Sequence, residues 1–160
     1  MKYLFLCSLL LLGACASTLA GKTIIDNHAV EGQVVDSRTA RPIVSALVVL
    51  TVPEGNTWSL PSSYLVGYAY TDTEGKFLIQ AHTHAVVDLR RNNSPFSIDV
   101  YHSDYKQAVD FISQSKHVTY PVTVKMEKGY NGDLVAGISG DGCAYNNPGI
   151  CKLVKDYLGL

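Results

Sequence analysis

The sequence predicts an all-β protein, an antiparallel β-sandwich of about seven strands with a short disulfide-closed C-terminal segment. Three observations carry that expectation. Short runs of β-branched and aromatic residues recur from Val30 onward. Clusters of Gly, Pro, Asn and Asp separate them at regular intervals. Of 160 residues, 47% are hydrophobic and only 17% charged. That is too apolar for a disordered chain and too poor in charge for a coiled coil. The length suits one domain with its own core, and a formal net charge of −1 gives no footprint for a nucleic acid.

The first element is an export signal. Lys2 supplies a positive start, and Tyr3 to Leu12 form an apolar run. That run is shorter than the roughly 18 residues a permanent membrane span needs. Small residues follow at Gly13, Ala14, Ala16 and Ser17. The stretch Leu12-Gly13-Ala14-Cys15 resembles the lipobox of bacterial lipoproteins, with Gly13 where Ala or Ser is commoner. The resemblance implies a signal peptide of residues 1–14, cleaved before a Cys15 that carries lipid on its sulfur and its new amino group. Palmitate is the expected acyl chain. Each buried CH2 contributes ~0.8 kcal/mol, so several acyl chains hold a protein stably on a membrane. Ala16, not Asp, follows Cys15. This is similar to the pattern that proteobacteria send to the outer membrane, so the expected place is its periplasmic face. The alternative is cleavage after Thr18-Leu19-Ala20, which releases a soluble secreted protein beginning at Gly21. In a eukaryotic source Asn92-Asn93-Ser94 would read as a glycosylation sequon.

Cysteine usage agrees with export. Of four cysteines, Cys7 lies in the signal and Cys15 takes lipid, which leaves Cys143 and Cys151 as a pair in an oxidising compartment. They flank the turn-forming stretch Ala144 to Ile150. Closing so small a loop stabilises by roughly 2–3 kcal/mol in the chain-entropy account. A metal or redox pair is the rival reading, although the spacing is too wide for Cys-x-x-Cys chemistry. Losing residues 1–14 removes one charge, Lys2. Lys plus Arg falls from 13 to 12 against 14 Asp plus Glu, so the mature chain carries −2.

The remaining elements follow in order. Residues 15–29 read as a lipid-anchored tether, small and polar apart from Ile24-Ile25. Residues 30–127 hold the sandwich. Its expected strands are Val30 to Asp36, Ile43 to Val52, Tyr64 to Thr71, Lys76 to Gln80, Ala85 to Leu89, Phe96 to Tyr101 and Val118 to Met126. The second is apolar throughout and suits a central strand covered on both faces. Ser103 to Ser115 carries Tyr105, Val109 and Ile112 at helix-compatible spacing, with strand as the competing reading. Residues 128–160 form a C-terminal extension in which Ile150 to Leu158 fits a short closing helix.

The order of these pieces resembles the carboxypeptidase regulatory-like domain of the transthyretin-like (prealbumin-like) group. The residues concerned are Gly32 to Asp36, Arg41-Pro42-Ile43, Ala46 to Leu50, and Thr71-Asp72-Thr73-Glu74-Gly75-Lys76-Phe77-Leu78-Ile79. In that family the last piece is a hairpin turn between strands. Asp72 is suited to accept hydrogen bonds from turn amides, Gly75 to supply a positive φ, and Phe77 and Ile79 to face the core. The chain departs from the pattern twice: Thr39-Ala40 stands where a turn Gly is usual, and Ser45 where a Gly usually precedes the Ala. Such domains often serve as structural or binding appendages, so the resemblance implies a fold more than an activity.

Candidate chemistry is sparse. His82-Thr83-His84 places two imidazoles two residues apart, on one face if the segment is a strand, with Tyr68, Tyr70 or His102 as further ligands. Intradiol dioxygenases are similar in fold and bind ferric iron through two Tyr and a His-x-His pair. They set a longer Pro-containing segment before it than the Leu78 to Ala81 found here. Hydroxyisourate hydrolases need a C-terminal Tyr-Arg-Gly-Ser, whereas this chain ends Tyr157-Leu158-Gly159-Leu160. Asp99, Asp104 and Asp110 form no recognisable carboxylate pair. No nucleophile elbow, phosphate loop or zinc-protease motif occurs. Trp58, the single tryptophan, sits in the loop Pro53 to Ser63 and is a candidate anchor for a protein or glycan partner. The expected function is a non-catalytic binding or structural module of the cell envelope, without cofactor. The partner is an envelope protein or glycan. The alternative is a metal-binding protein or metal-dependent enzyme using His82 and His84.

Overall fold

The computed structural model describes residues 22–54, 62–87, 95–112, 121–129 and 147–160. Among them are nine strands and one helix: β1 (Lys22–Asn27), β2 (Val30–Asp36), β3 (Leu47–Glu54), β4 (Ser62–Tyr70), β5 (Lys76–Ile79), β6 (His82–Val87), β7 (Phe96–His102), β8 (Tyr105–Ile112), β9 (Val122–Met126) and α1 (Pro148–Leu158). Two layers face each other: a three-stranded sheet, β5-β2-β9, and a four-stranded sheet, β4-β3-β7-β8. The architecture is the expected all-β sandwich with a short closing helix.

β3 forms because Leu47 to Val52 is rich in β-branched residues. Leu47, Val48, Val49 and Leu50 are all completely buried. Val48 and Leu50 face the other sheet and pack with Val34, Phe77, Ile98, Val100, Val124 and Met126. Leu47 and Val49 face the opposite way, against Tyr101 and the helix residues Ile150 and Val154. Full burial of each such side chain stabilises by about 1.5–3 kcal/mol, so covering both faces of one strand makes β3 the axis of the fold.

α1 is defined by its ends. Asn147 caps it, its Oδ1 accepting from Gly149 N at 3.0 Å and Ile150 N at 3.3 Å. Pro148 opens the first turn, and Gly159 closes the last in the left-handed region at φ 72°. Two bonds dock the helix on the sheet: Asn147 Nδ2 donates to Ser63 O at 2.7 Å, and Tyr157 Oη donates to Ser45 O at 2.8 Å.

The crossover from β2 to β3 holds both residues that depart from the pattern the sequence resembles. Ala40 has φ 54° and Ser45 φ 60°, the two non-glycine residues with positive φ among the described residues. Both stand where the pattern the sequence resembles usually has glycine. Asp36 organises the first turn. Its Oδ1 accepts from Arg38 N at 2.9 Å, Thr39 N at 2.8 Å and Thr39 Oγ1 at 3.0 Å. Thr71, buried at the β4–β5 corner, organises the second. Its Oγ1 accepts from Ala46 N at 2.8 Å and donates to Ile43 O at 2.7 Å. Its backbone donates to Ala46 O at 2.9 Å and accepts from Ser45 N at 3.0 Å. In the same corner Asp72 Oδ1 accepts from Glu74 N and Lys76 N, both at 2.8 Å, and Gly75 adopts φ 72°. Phe77 and Ile79 then enter the core as expected.

Four features differ from the sequence expectation. Of the stretch Ser103 to Ser115, the described residues 103–112 hold β8 and no helix, because residues 105–112 complete the ladder with β7, and residues 113–115 lie outside the described residues. β2 pairs with β9 in parallel, so the sandwich is not wholly antiparallel. The expected strand at Ala85 to Leu89 begins earlier, as β6, and lies outside the two layers, paired with β1. β1 itself occupies part of the stretch read as a tether, where Thr23-Ile24-Ile25 favours a strand. β1–β6 continues the β2–β5 register without a slip, Asn27 opposite His82 and then Val30 opposite Ile79. The two pairs make one long ribbon, and its lower half belongs to the sandwich.

Two predictions follow from the turns. An alanine or serine held in the left-handed region costs about 1 kcal/mol more than glycine there. Ala40→Gly and Ser45→Gly are each expected to raise stability by about 1 kcal/mol in urea titration; no gain, or a loss, would refute the assigned backbone strain. Asp36 is held below the usual carboxylate range, first by the Thr39 amide and then by the Arg38 amide, the Thr39 hydroxyl and the Tyr105 phenol, against the opposing effect of burial. A carboxyl depressed on folding stabilises above its unfolded pKa of about 3.9, and that contribution is lost as pH falls through the folded value. Asp36→Asn is expected to lower Tm at pH 7 and to converge on the parent as pH falls well below 4. A Tm difference constant with pH would contradict it.

Candidate functional site

The two layers do not meet in the same way on their two sides. At β8 they are joined. Lys106 N donates to Glu127 O at 2.8 Å, Gly129 N donates to Asp104 O at 3.0 Å, and Tyr105 bridges to Lys128. Lys106 Nζ reinforces the join with a 3.0 Å contact to Glu127. Lys106 accordingly pulls the Glu127 carboxyl below its usual range. At the other side β4 and β5 are the outer strands of their sheets. They leave the Thr71–Gly75 corner in different layers, and a cleft of about 410 Å³ lies between them.

A slip in the β3–β4 register shapes this cleft. Leu50 pairs with Gly67 but Thr51 pairs with Leu65, so Val66 is the extra residue of a β-bulge. Before the bulge, Leu65 faces the helix layer and Tyr64 the core. Val66 also faces the core, and the extra residue resets the alternation. Tyr68 and Tyr70 therefore turn outward, 49% and 51% exposed, while Ala69 packs inward. An unbroken two-residue alternation would have sent both tyrosines inward with Val66.

Leu65, Gly67 and Tyr68 line the β4 side of the cleft, and Leu78, Gln80 and His82 the other. Buried Val66 and Ile79 close its floor. Gly67 permits the close approach at the base: a Cβ there would sit 2.8 Å from Ile79 Cγ2. Leu78, between the core residues Phe77 and Ile79, points outward at 48% exposure. Tyr68 is fixed by a chain of ring contacts. Its centroid lies 6.2 Å from that of Tyr70 in edge-to-face geometry, and Tyr70 lies 5.9 Å from Tyr157 on α1. Burial raises the Tyr157 phenol above its ordinary value, so it donates as a neutral hydroxyl to Ser45 O.

The residues singled out from the sequence are dispersed. His82 opens β6, is exposed and lines the cleft. His84 follows on the same strand, opposite Ile25, with its side chain outside the described residues. His102 closes β7; its Nδ1 accepts from Asp104 N at 3.1 Å and its ring meets Tyr105 edge-on. Asp99 is buried and accepts from Ser97 Oγ and Gln107 Nε2, both at 3.2 Å, whereas Asp110 is exposed. Among the described residues no group of three or more His, Cys, Asp or Glu is placed to hold a metal ion. Cys151 is buried on α1. Cys15, Trp58 and Cys143 lie outside the described residues, as does the signal. Among those residues no helix is long and apolar enough to cross a membrane.

Sequence reasoning passed over Gly67, Leu78 and Gln80. Two signals pointed to them: a glycine inside a strand, which marks a bulge, and a leucine at the outward position of the Phe77–Ile79 alternation. The chain matches no protein-family model and resembles no curated protein at a significant level.

Proposed function

We propose that the chain is a lipoprotein held through Cys15 at the periplasmic face of the outer membrane, carrying a transthyretin-like sandwich that works by binding and not by catalysis. The observation that carries the binding role is the open cleft between β4 and β5. Among the described residues its lining is apolar and aromatic, with one amide and one imidazole and no serine, cysteine or carboxylate. Such a surface recognises a shape and orients it with a few polar groups. The anchor rests on the lipobox-like Leu12 to Cys15. The fold-group assignment is supported by the Asp72–Gly75 turn and by the positive φ of Ala40 and Ser45 at the two expected glycine positions. In the same reading Cys143 pairs with Cys151 and clamps the start of α1, in keeping with the burial of Cys151.

In a bacterial host fed labelled palmitate, the full chain is expected to take up label and Cys15→Ser to take up none. Label kept by the variant removes the anchor, and a mature N-terminus at Gly21 points to the secreted form. Elemental analysis of the purified chain is expected to find no stoichiometric iron, zinc or copper. One equivalent of metal that disappears on His82→Ala would replace this reading with a metal-dependent one.

A further inference from the structure

We infer that the β4–β5 cleft is a sugar-binding site, taking one ring of a neutral glycan against Tyr68; this rests on the reading of the chain as a binding module. A pyranose has one apolar face of C–H bonds and a rim of hydroxyls that both donate and accept. The cleft presents the complement of each. Tyr68 offers an exposed ring, 49% accessible, held in place through Tyr70 by Tyr157 and thus by the docked helix. A ring ordered before binding loses little conformational freedom on binding. Leu78 supplies an exposed apolar wall opposite.

Gln80 and His82 add the directional groups. An amide has two donor hydrogens and an acceptor oxygen, and an imidazole has two ring nitrogens, so each keeps hydrogen-bonding capacity for a vicinal diol beyond any one partner it already has. Charge selects among ligands as well. Among the described residues no Asp, Glu, Lys or Arg lines the cleft, so a phosphate, carboxylate or ammonium ligand would lose its hydration without an ionic partner from them. A neutral polyhydroxylated ring incurs no such cost. The volume of about 410 Å³ falls within the usual range for small-ligand sites, and the open mouth lets the rest of a chain pass out to solvent. An extended peptide fits less well, because the bulge at Val66 breaks the backbone register that an added strand would need.

The test uses the full-length chain in micelles of a detergent with no sugar headgroup, applied to an array of neutral and anionic oligosaccharides and extended peptides. Retention of one or more neutral glycans is expected. Tyr68→Ala should weaken it by about tenfold, Tyr68→Phe should keep it within about twofold, and Phe111→Ala, on the far edge strand, should leave it unchanged. Raising salt should change it little. Thermal melts confirm that each variant is folded, and Leu78→Ala, at an exposed lining position and expected to weaken retention by about tenfold, supplies the comparison if Tyr68→Ala is not. Binding of no neutral glycan, binding only of anionic glycans or peptides, or neutral binding insensitive to both Tyr68 variants overturns the assignment. Palmitate labelling of the same preparation separates the failures: label without glycan binding removes the sugar site alone, and glycan binding without label removes the anchor alone.

Discussion

One buried hydroxyl decides which strand edges face each other. Thr71 has four short hydrogen bonds to three residues of a chain segment 25 or more positions earlier. Left unpaired, that hydroxyl would cost on the order of 1–3 kcal/mol in the core, and so would each amide and carbonyl it serves. The arrangement is therefore close to all-or-none. With it in place, the crossover entering β3 and the corner leaving β4 are fixed at the same point. β4 and β5 then leave one corner in different layers, and the cleft lies between these two outer strands.

The helix makes the other half of the site. Without α1, Leu47 and Val49 would line an exposed apolar face on the four-stranded sheet, large enough to drive association. α1 covers it with Ile150 and Val154, one helical turn apart on the same side. Its last turn also delivers Tyr157 to two tasks, a hydrogen bond to the strained Ser45 and a ring contact to Tyr70. The orientation of the cleft wall is thus tied to the backbone conformation of the β2–β3 crossover through one side chain. A change that loosens α1 is expected to reach Tyr68 without touching it.

Much of the fold was legible because local chemistry and burial agree. Val30 to Asp36 alternates and is β2; Leu47 to Leu50 is apolar on both faces and is central; Asn147-Pro148 and Gly159 bracket a helix. Ala40 and Ser45 were legible only through the family pattern, since neither residue type by itself announces a positive φ. Ser103 to Ser115 stayed open between helix and strand because Tyr105, Val109 and Ile112 fit a helical face as well as a strand, and the choice rests on the hairpin pairing to β7 that periodicity does not encode. The cleft was the least legible feature. Tyr68 and Tyr70 entered only as candidate further ligands in the metal alternative, whereas the bulge at Val66 turns them to the outer face and α1 gives Tyr70 a ring partner. A bulge is a property of two strands in register, so the glycine that permits it hints at the event without saying which side chains it re-aims.

The edges of the sandwich explain why the opening lies where it does. An open sheet leaves unpaired backbone groups that invite other chains to add to it. Here β8 gives up its exposed start to residues 127–129, which carries the hydrogen bonding from one layer to the other. The same solution is closed to β4 and β5. They leave the Thr71 corner in different layers, and β5 continues along its ribbon with β1 instead of turning toward β4. The bulge in β4 blunts its edge by breaking the register that an added strand would need. What stays accessible between them is therefore side chains more than ladder, an aromatic ring on one side and a leucine, an amide and an imidazole on the other. A strand edge protected in this way favours a compact ligand held by its faces and rim over an extended chain held by its backbone.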